Sequence, residues 1–129
     1  MAERRTGTGP GRVLVWVYGV FALAAGARAG VQLATRFDDA PVAYLLSALA
    51  AVIYLVAAVG LARGDRTGRR AAWLSCSVEL AGVLAVGTAS LLWPGAFPDA
   101  TVWSDYGIGY GFVPLLLPVL GLLWLRRTR

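Results

Sequence analysis

Histidine and lysine are both absent from this chain of 129 residues, cysteine occurs once, and the one methionine is the first residue. Those gaps exclude much chemistry. A His-ligated haem, a His or Cys zinc site, a His-based catalytic triad and a disulfide between two cysteines of the chain all lack their residues. Charge is also scarce, at 15% of residues against 58% hydrophobic, with a mean hydropathy of +0.66. A small soluble domain buries too little of its surface to absorb so much apolar side chain. The composition therefore points to a bilayer as the solvent for most of the chain.

What charge there is has one cationic form. All twelve basic residues are arginine, which with the richness in Ala, Gly and Val points to a GC-rich bacterial genome. The formal net charge of +5 and a pI near 10.1 would suit nucleic acid. The arginines, however, flank apolar runs and form no basic face interleaved with aromatics, so no nucleic-acid partner is expected.

A spanning helix needs about 20 mostly apolar residues to cross about 30 Å of hydrocarbon. The chain offers that length four times, at about 13–35, 42–62, 71–93 and 108–125. The runs are continuous, without the alternation of a membrane barrel. They predict an all-α, polytopic membrane protein: a four-helix transmembrane bundle forming a single domain over residues 1–129. Pro41 suits a first helical position, and Pro94 with Gly95 suits a stop. The connections 36–41 and 63–70 are too short to house a domain. The longer outer loop, 94–107, carries Phe97, Trp103 and Tyr106, whose rings are expected at headgroup level.

Orientation follows from arginine counts. Ten of the twelve lie in the N-terminal segment, the 63–70 connection and the C-terminus, all on one side of an alternating topology; Arg36 alone lies on the other, and Arg28 lies within the first span. The positive-inside rule then places both termini in the cytoplasm, in a multi-pass protein of the bacterial inner (cell) membrane. A rival reading takes the apolar stretch 13–25 and Ala27-Arg28-Ala29 as a secretory signal with its cleavage site, which would remove the first helix. Continuation of the apolar run through Val31 and Leu33 argues against it.

Two charges fall inside the spans, Arg28 and Glu79, and intramembrane charges are functional candidates by default. Glu79 belongs to a stripe of small and polar residues on the third span: Ala72, Ser75, Cys76, Glu79, Gly82, Val83, Val86, Gly87 and Ser90. Small residues on one face let another helix approach, so this stripe is expected inward, with Trp73, Leu80, Leu84 and Leu91 outward. Arg28 shares a face with Phe21, Ala24, Ala25, Gln32 and Arg36. The candidate intramembrane polar site is thus Arg28, Gln32, Tyr54, Ser75 and Glu79, with Arg28 and Glu79 expected to interact directly or through one bridging group. Their depths differ by about 10 Å at 1.5 Å per residue, so Asp38, Asp39 and Asp105 are alternative partners for Arg28.

Further expectations are local. Ala43, Ser47, Ala50, Ala51, Tyr54, Ala57 and Ala58 form a small-residue seam on the second span, and Gly26 with Gly30 forms G-x-x-x-G on the first, either an internal packing face or a homodimer seam. Pro114 and Pro118 each remove a helix donor and are expected to bend the fourth span. Cys76 reads as a small packing residue. The RGD at Arg63 to Asp65 falls on the expected cytoplasmic side, where adhesion has no place.

In length, arginine-flanked spans and Ala/Gly-rich style the chain resembles the small four-span integral membrane proteins of high-GC Gram-positive bacteria. It is faintly similar to DoxX-like bundles in its four spans, its short basic turn between the second and third, and a polar residue late in the first, here Arg28. Small multidrug transporters differ in carrying their essential Glu in the first span, and fluoride channels in a Thr/Ser/Phe-rich third-span segment. The spans hold no acid and base pair around Glu79, so no enzyme activity and no cofactor are expected. Two readings stand: a non-enzymatic accessory or structural subunit, with a partner membrane protein or a homo-oligomer left open, and a small transporter or channel using Arg28 and Glu79 as a proton or ion site.

Overall fold

The computed structural model describes residues 6–93, 95, 101 and 103–128. Among them are four α-helices and no strand: α1 (Pro10–Thr35), α2 (Pro41–Arg63), α3 (Arg66–Leu92) and α4 (Val113–Arg127). The first three are long and apolar enough to cross a membrane. Consecutive helices pack side by side, and α1 also touches α4. One core runs through all of them, from Leu14 and Tyr18 through Ala50 and Tyr54 to Cys76, Val83, Leu117 and Leu125.

α2 follows the expected pattern most closely. All seven residues of its small-residue seam are buried, while Leu45, Val52, Leu55 and Val59 between them are exposed. The seam's three- and four-residue spacing, with alanine at five of its seven positions, lets the neighbouring helices close in on this face. On α3 the stripe also turns inward at Ala72, Ser75, Cys76, Glu79, Val83 and Gly87, with Trp73, Leu84 and Leu91 outward; Leu80 is half-buried against the core. Gly26 faces α2, since a methyl group there would touch Ala51 at 3.7 Å, whereas Gly30 opens onto empty space. The two glycines thus do not share one packing face.

The α2–α3 turn explains the RGD sequence locally. Gly64 takes the left-handed conformation (φ 68°) that ends α2, and Asp65 caps α3 by accepting the Gly68 amide at 2.7 Å. Arg63 closes on the other Asp65 oxygen at 2.8 Å. The Gly68 amide first, and then the Arg63 guanidinium, hold the Asp65 carboxyl below the usual carboxylate range.

Long-range hydrogen bonds gather this turn with two other segments. The Thr6 hydroxyl donates to the Leu61 carbonyl at 2.7 Å, and the Trp124 indole donates to the Thr6 carbonyl at 3.0 Å. Arg69 donates to the Leu125 carbonyl at 2.7 Å and to the Thr128 hydroxyl at 3.1 Å, the first a carbonyl in the last turn of α4, where carbonyls lack helical partners. The N-terminal segment, the α2–α3 turn and the end of α4 therefore meet at one end of the molecule, which is the arginine-rich end.

The fourth span departs from expectation. Its α-helix begins at Val113 rather than about residue 108, and residues Ser104–Tyr110 form a 3-10 segment with left-handed backbone at Asp105, Tyr106 and Gly107. Glycines at 107, 109 and 111 weaken helix formation here. Pro114 then sits in the first turn of α4, where its missing donor costs nothing, so only Pro118 lies inside the helix. The two prolines expected to bend one helix thus do different work.

The outer-loop aromatics are also placed differently. Trp103 is buried rather than spread at a surface, with its ring against Gly82 of α3, where an added methyl group would approach within 2.8 Å. Tyr106 lies over Gly87 and bonds Thr88 through its hydroxyl at 2.8 Å. Phe97 lies outside the described residues. Glycines of the α3 stripe thus serve as sockets for loop rings, a role that spacing on a single helix does not distinguish from helix contact.

Candidate functional site

Where the helices meet, the described residues include a buried polar cluster. Glu79 of α3 is 0% exposed, as are Tyr18 of α1, Tyr54 of α2 and Cys76 of α3. The Tyr18 hydroxyl donates to Glu79 Oε1 at 3.0 Å and stands 3.5 Å from Cys76 Sγ. Since that hydroxyl proton is committed to the carboxyl group, the Cys76 thiol is the donor to it. Tyr54 acts on the same carboxyl group. Glu79 Oε2 is buried without a hydrogen bond of ordinary geometry among the described residues.

Packing fixes these groups in place. The Tyr18 and Tyr54 rings are tilted at 46° with centroids 6.0 Å apart, and Phe21 meets Tyr54 edge-on at 6.0 Å. α4 leaves space for the thiol through Gly121, where a methyl group would fall 2.7 Å from Cys76 Sγ. Each helix thus contributes to the cluster, three by functional groups and one by the absence of a side chain.

The five residues expected to form one polar site fall into two groups. Tyr54, Ser75 and Glu79 are buried in the interior, with Ser75 one turn from Glu79 on α3. Arg28 is exposed and lines an open groove of about 470 Å³ with Gln32 and Arg36 towards the end of α1; Gln32 itself is buried. Ten residues, about 15 Å of helix, separate Arg28 from the Tyr18 that occupies Glu79. The structure therefore does not bring Arg28 and Glu79 together. The physical reason lies in length: Arg28 is seven residues, about 10 Å, from the last residue of α1, so a long side chain reaches the polar end while its stem stays on apolar surface.

Sequence reasoning missed Tyr18. α1 is apolar on every side, and a tyrosine among Val, Trp and Phe gives no periodic signal that marks its face. A usable signal lay in chemistry instead: a buried carboxyl group needs a donor, and Tyr18 and Tyr54 are two of the few hydroxyl groups in the apolar runs. Cys76 gained a partner that its reading as a packing residue did not require.

Chemically, the cluster offers a carboxyl group, two phenols and a thiol away from water. It can hold protons within a fixed hydrogen-bond network and tie three helices in one register. Among the described residues no group of three His, Cys, Asp or Glu side chains could hold a metal ion. Comparisons with family models, with curated proteins and with solved structures found no match to this chain.

Proposed function

We propose that this chain is a four-span integral protein of a bacterial inner (cell) membrane, both termini cytoplasmic, that works as a non-enzymatic accessory or structural subunit. The observation that carries the functional part is the closure of the polar cluster. Glu79, Tyr18, Tyr54 and Cys76 are each 0% exposed and turned towards one another. Polar side chains in this setting act as ties between helices, and a buried polar group at one register disfavours the others.

Support for the topology comes from the meeting of Thr6, Leu61, Arg69, Trp124 and Leu125 at one end, where the described arginines Arg12, Arg63, Arg66, Arg69, Arg70, Arg126 and Arg127 also belong. α4, at 15 residues, rises about 22 Å, short of the hydrocarbon thickness. In this reading the 3-10 segment Ser104–Tyr110 completes the fourth span, and its irregular backbone is tolerated because it lies against α3. Retention of α1, rather than its cleavage as a signal, is favoured by Leu14 and Tyr18 being core residues.

The transporter reading makes a different demand, that Glu79 exchange protons or ions with both sides. Purified full-length protein in proteoliposomes carrying a pH gradient separates the two. The expected result is no proton leak above empty vesicles, together with co-purification of a stoichiometric membrane partner or second copy from native membranes in mild detergent. A leak abolished by Glu79→Gln would replace the structural reading with the transporter one.

A further inference from the structure

At the arginine-rich end, the cleft between the start of α1 and the end of α4 has two joined chambers. One, about 420 Å³, is apolar, walled by Val13 and Leu14 on one side and Leu120 and Leu123 on the other. The other, about 340 Å³, is more polar and is lined by Thr8, Gly9 and Thr128. Pro10, Trp124 and Arg127 line both. The Trp124 indole N–H is spent on the Thr6 carbonyl at 3.0 Å, which fixes the ring as a wall. Arg127 is exposed at the junction, with its neighbour Arg126 exposed beside it.

We propose that this cleft binds one anionic phospholipid, with an acyl chain in the apolar chamber and the phosphate at Arg127 in the polar one. The inference rests on the membrane reading and orientation given above. The dimensions of the cleft lie in the range of ligand sites, and its apolar chamber beside a more polar one, with Arg127 lining both, matches the two parts of a lipid. Charge complementarity selects the headgroup: the cleft opens at the end that carries seven of the described arginines, Arg126 and Arg127 among them, the cytoplasmic leaflet is the one that faces them in this reading, and basic pockets between transmembrane helices on that side take anionic headgroups. Arginine suits this role through its planar fork, which meets phosphate oxygens in pairs. A zwitterionic lipid offers the same chain without net charge.

The test uses the full chain in nanodiscs of mixed phosphatidylglycerol and phosphatidylcholine, with native mass spectrometry reading the lipid retained after the disc is stripped. The wild type is expected to retain one phosphatidylglycerol in preference to phosphatidylcholine. Arg127→Gln is expected to lower that preference about fivefold, and Arg36→Gln at the opposite end to leave it unchanged. Val13→Trp fills the chamber from an exposed position, 62% accessible, and is expected to lose retained lipid of both kinds. Equal losses in Arg127→Gln and Arg36→Gln would reduce the effect to diffuse attraction and overturn the site. Undiminished retention in Val13→Trp would overturn it independently. A chain that does not enter the discs at all would contradict the membrane reading itself, and the two failures are therefore distinguishable.

Discussion

The two ends of the molecule combine directional bonds and shape in different proportions. The arginine-rich end is held by hydrogen bonds between segments far apart in sequence: Thr6 to Leu61, Trp124 to Thr6, and Arg69 to Leu125 and Thr128. The opposite end has bonds of its own, Tyr106 to Thr88 and the Asp105 amide to Ser90, but adds to them a fit of shape, with the Trp103 and Tyr106 rings set over Gly82 and Gly87 of α3. Directional bonds specify which groups meet, whereas a ring in a socket needs only a gap of matching size. The first kind should fail locally when one donor is removed. The second should fail through loss of volume.

The sharpest break of this comparison is Trp103→Ala. Removing a buried indole costs about 3–5 kcal/mol in well-packed sites, and the loss is expected to spread over the 3-10 segment 104–110, seen as faster hydrogen exchange there than at the arginine-rich end. If the melting temperature in detergent is unchanged, the socket contributes nothing. Arg69→Ala comes next. Two charge-assisted bonds to α4 are lost, each class of bond being worth about 1.5–3 kcal/mol, and exchange should rise at residues 121–128 while the Trp103 environment keeps its near-ultraviolet signal.

A smaller effect distinguishes the α2–α3 turn, where Asp65 caps α3. Its folded-state carboxyl titrates below the ordinary range because the Gly68 amide and Arg63 favour the ionised form. A depressed folded value means that the stabilisation is present above the unfolded aspartate value and is lost as pH falls through the folded one. Wild-type stability should thus carry a shallow acid-side decline that Asp65→Asn removes, measured as melting temperature against pH. An unchanged profile in Asp65→Asn would place the titrating group elsewhere.

Legibility in the sequence followed the same division. The α2 seam was readable because six small residues and Tyr54 recur at helical spacing, and all seven are buried. The inward stripe of α3 was readable for the same reason. The segment 103–112 was not, since its left-handed Asp105 and Tyr106 are held by bonds to Ser90 and Thr88 of α3 that no local pattern announces. Asp105, for example, is held by its amide bonding the Ser90 hydroxyl at 2.9 Å. At the candidate site, Glu79 was identified by the cost of burying its charge, but the same argument placed Arg28 inward although arginine is long enough to escape. Cost of burial indicates that a group must find a partner or leave, and chain length decides which.

Between the two ends stands the cluster that joins three helices, and its claim is that Tyr18 and Glu79 act as one tie. A double-mutant cycle of Tyr18→Phe and Glu79→Gln, read as unfolding free energy in detergent, tests that most directly. Interhelical polar pairs in membranes couple by about 0.6 kcal/mol on average and up to about 1.7 kcal/mol, and full burial of both groups places the expected coupling in the upper part of that range. Losses that simply add in the double variant would show that the two residues stabilise the helices independently, and would contradict the account.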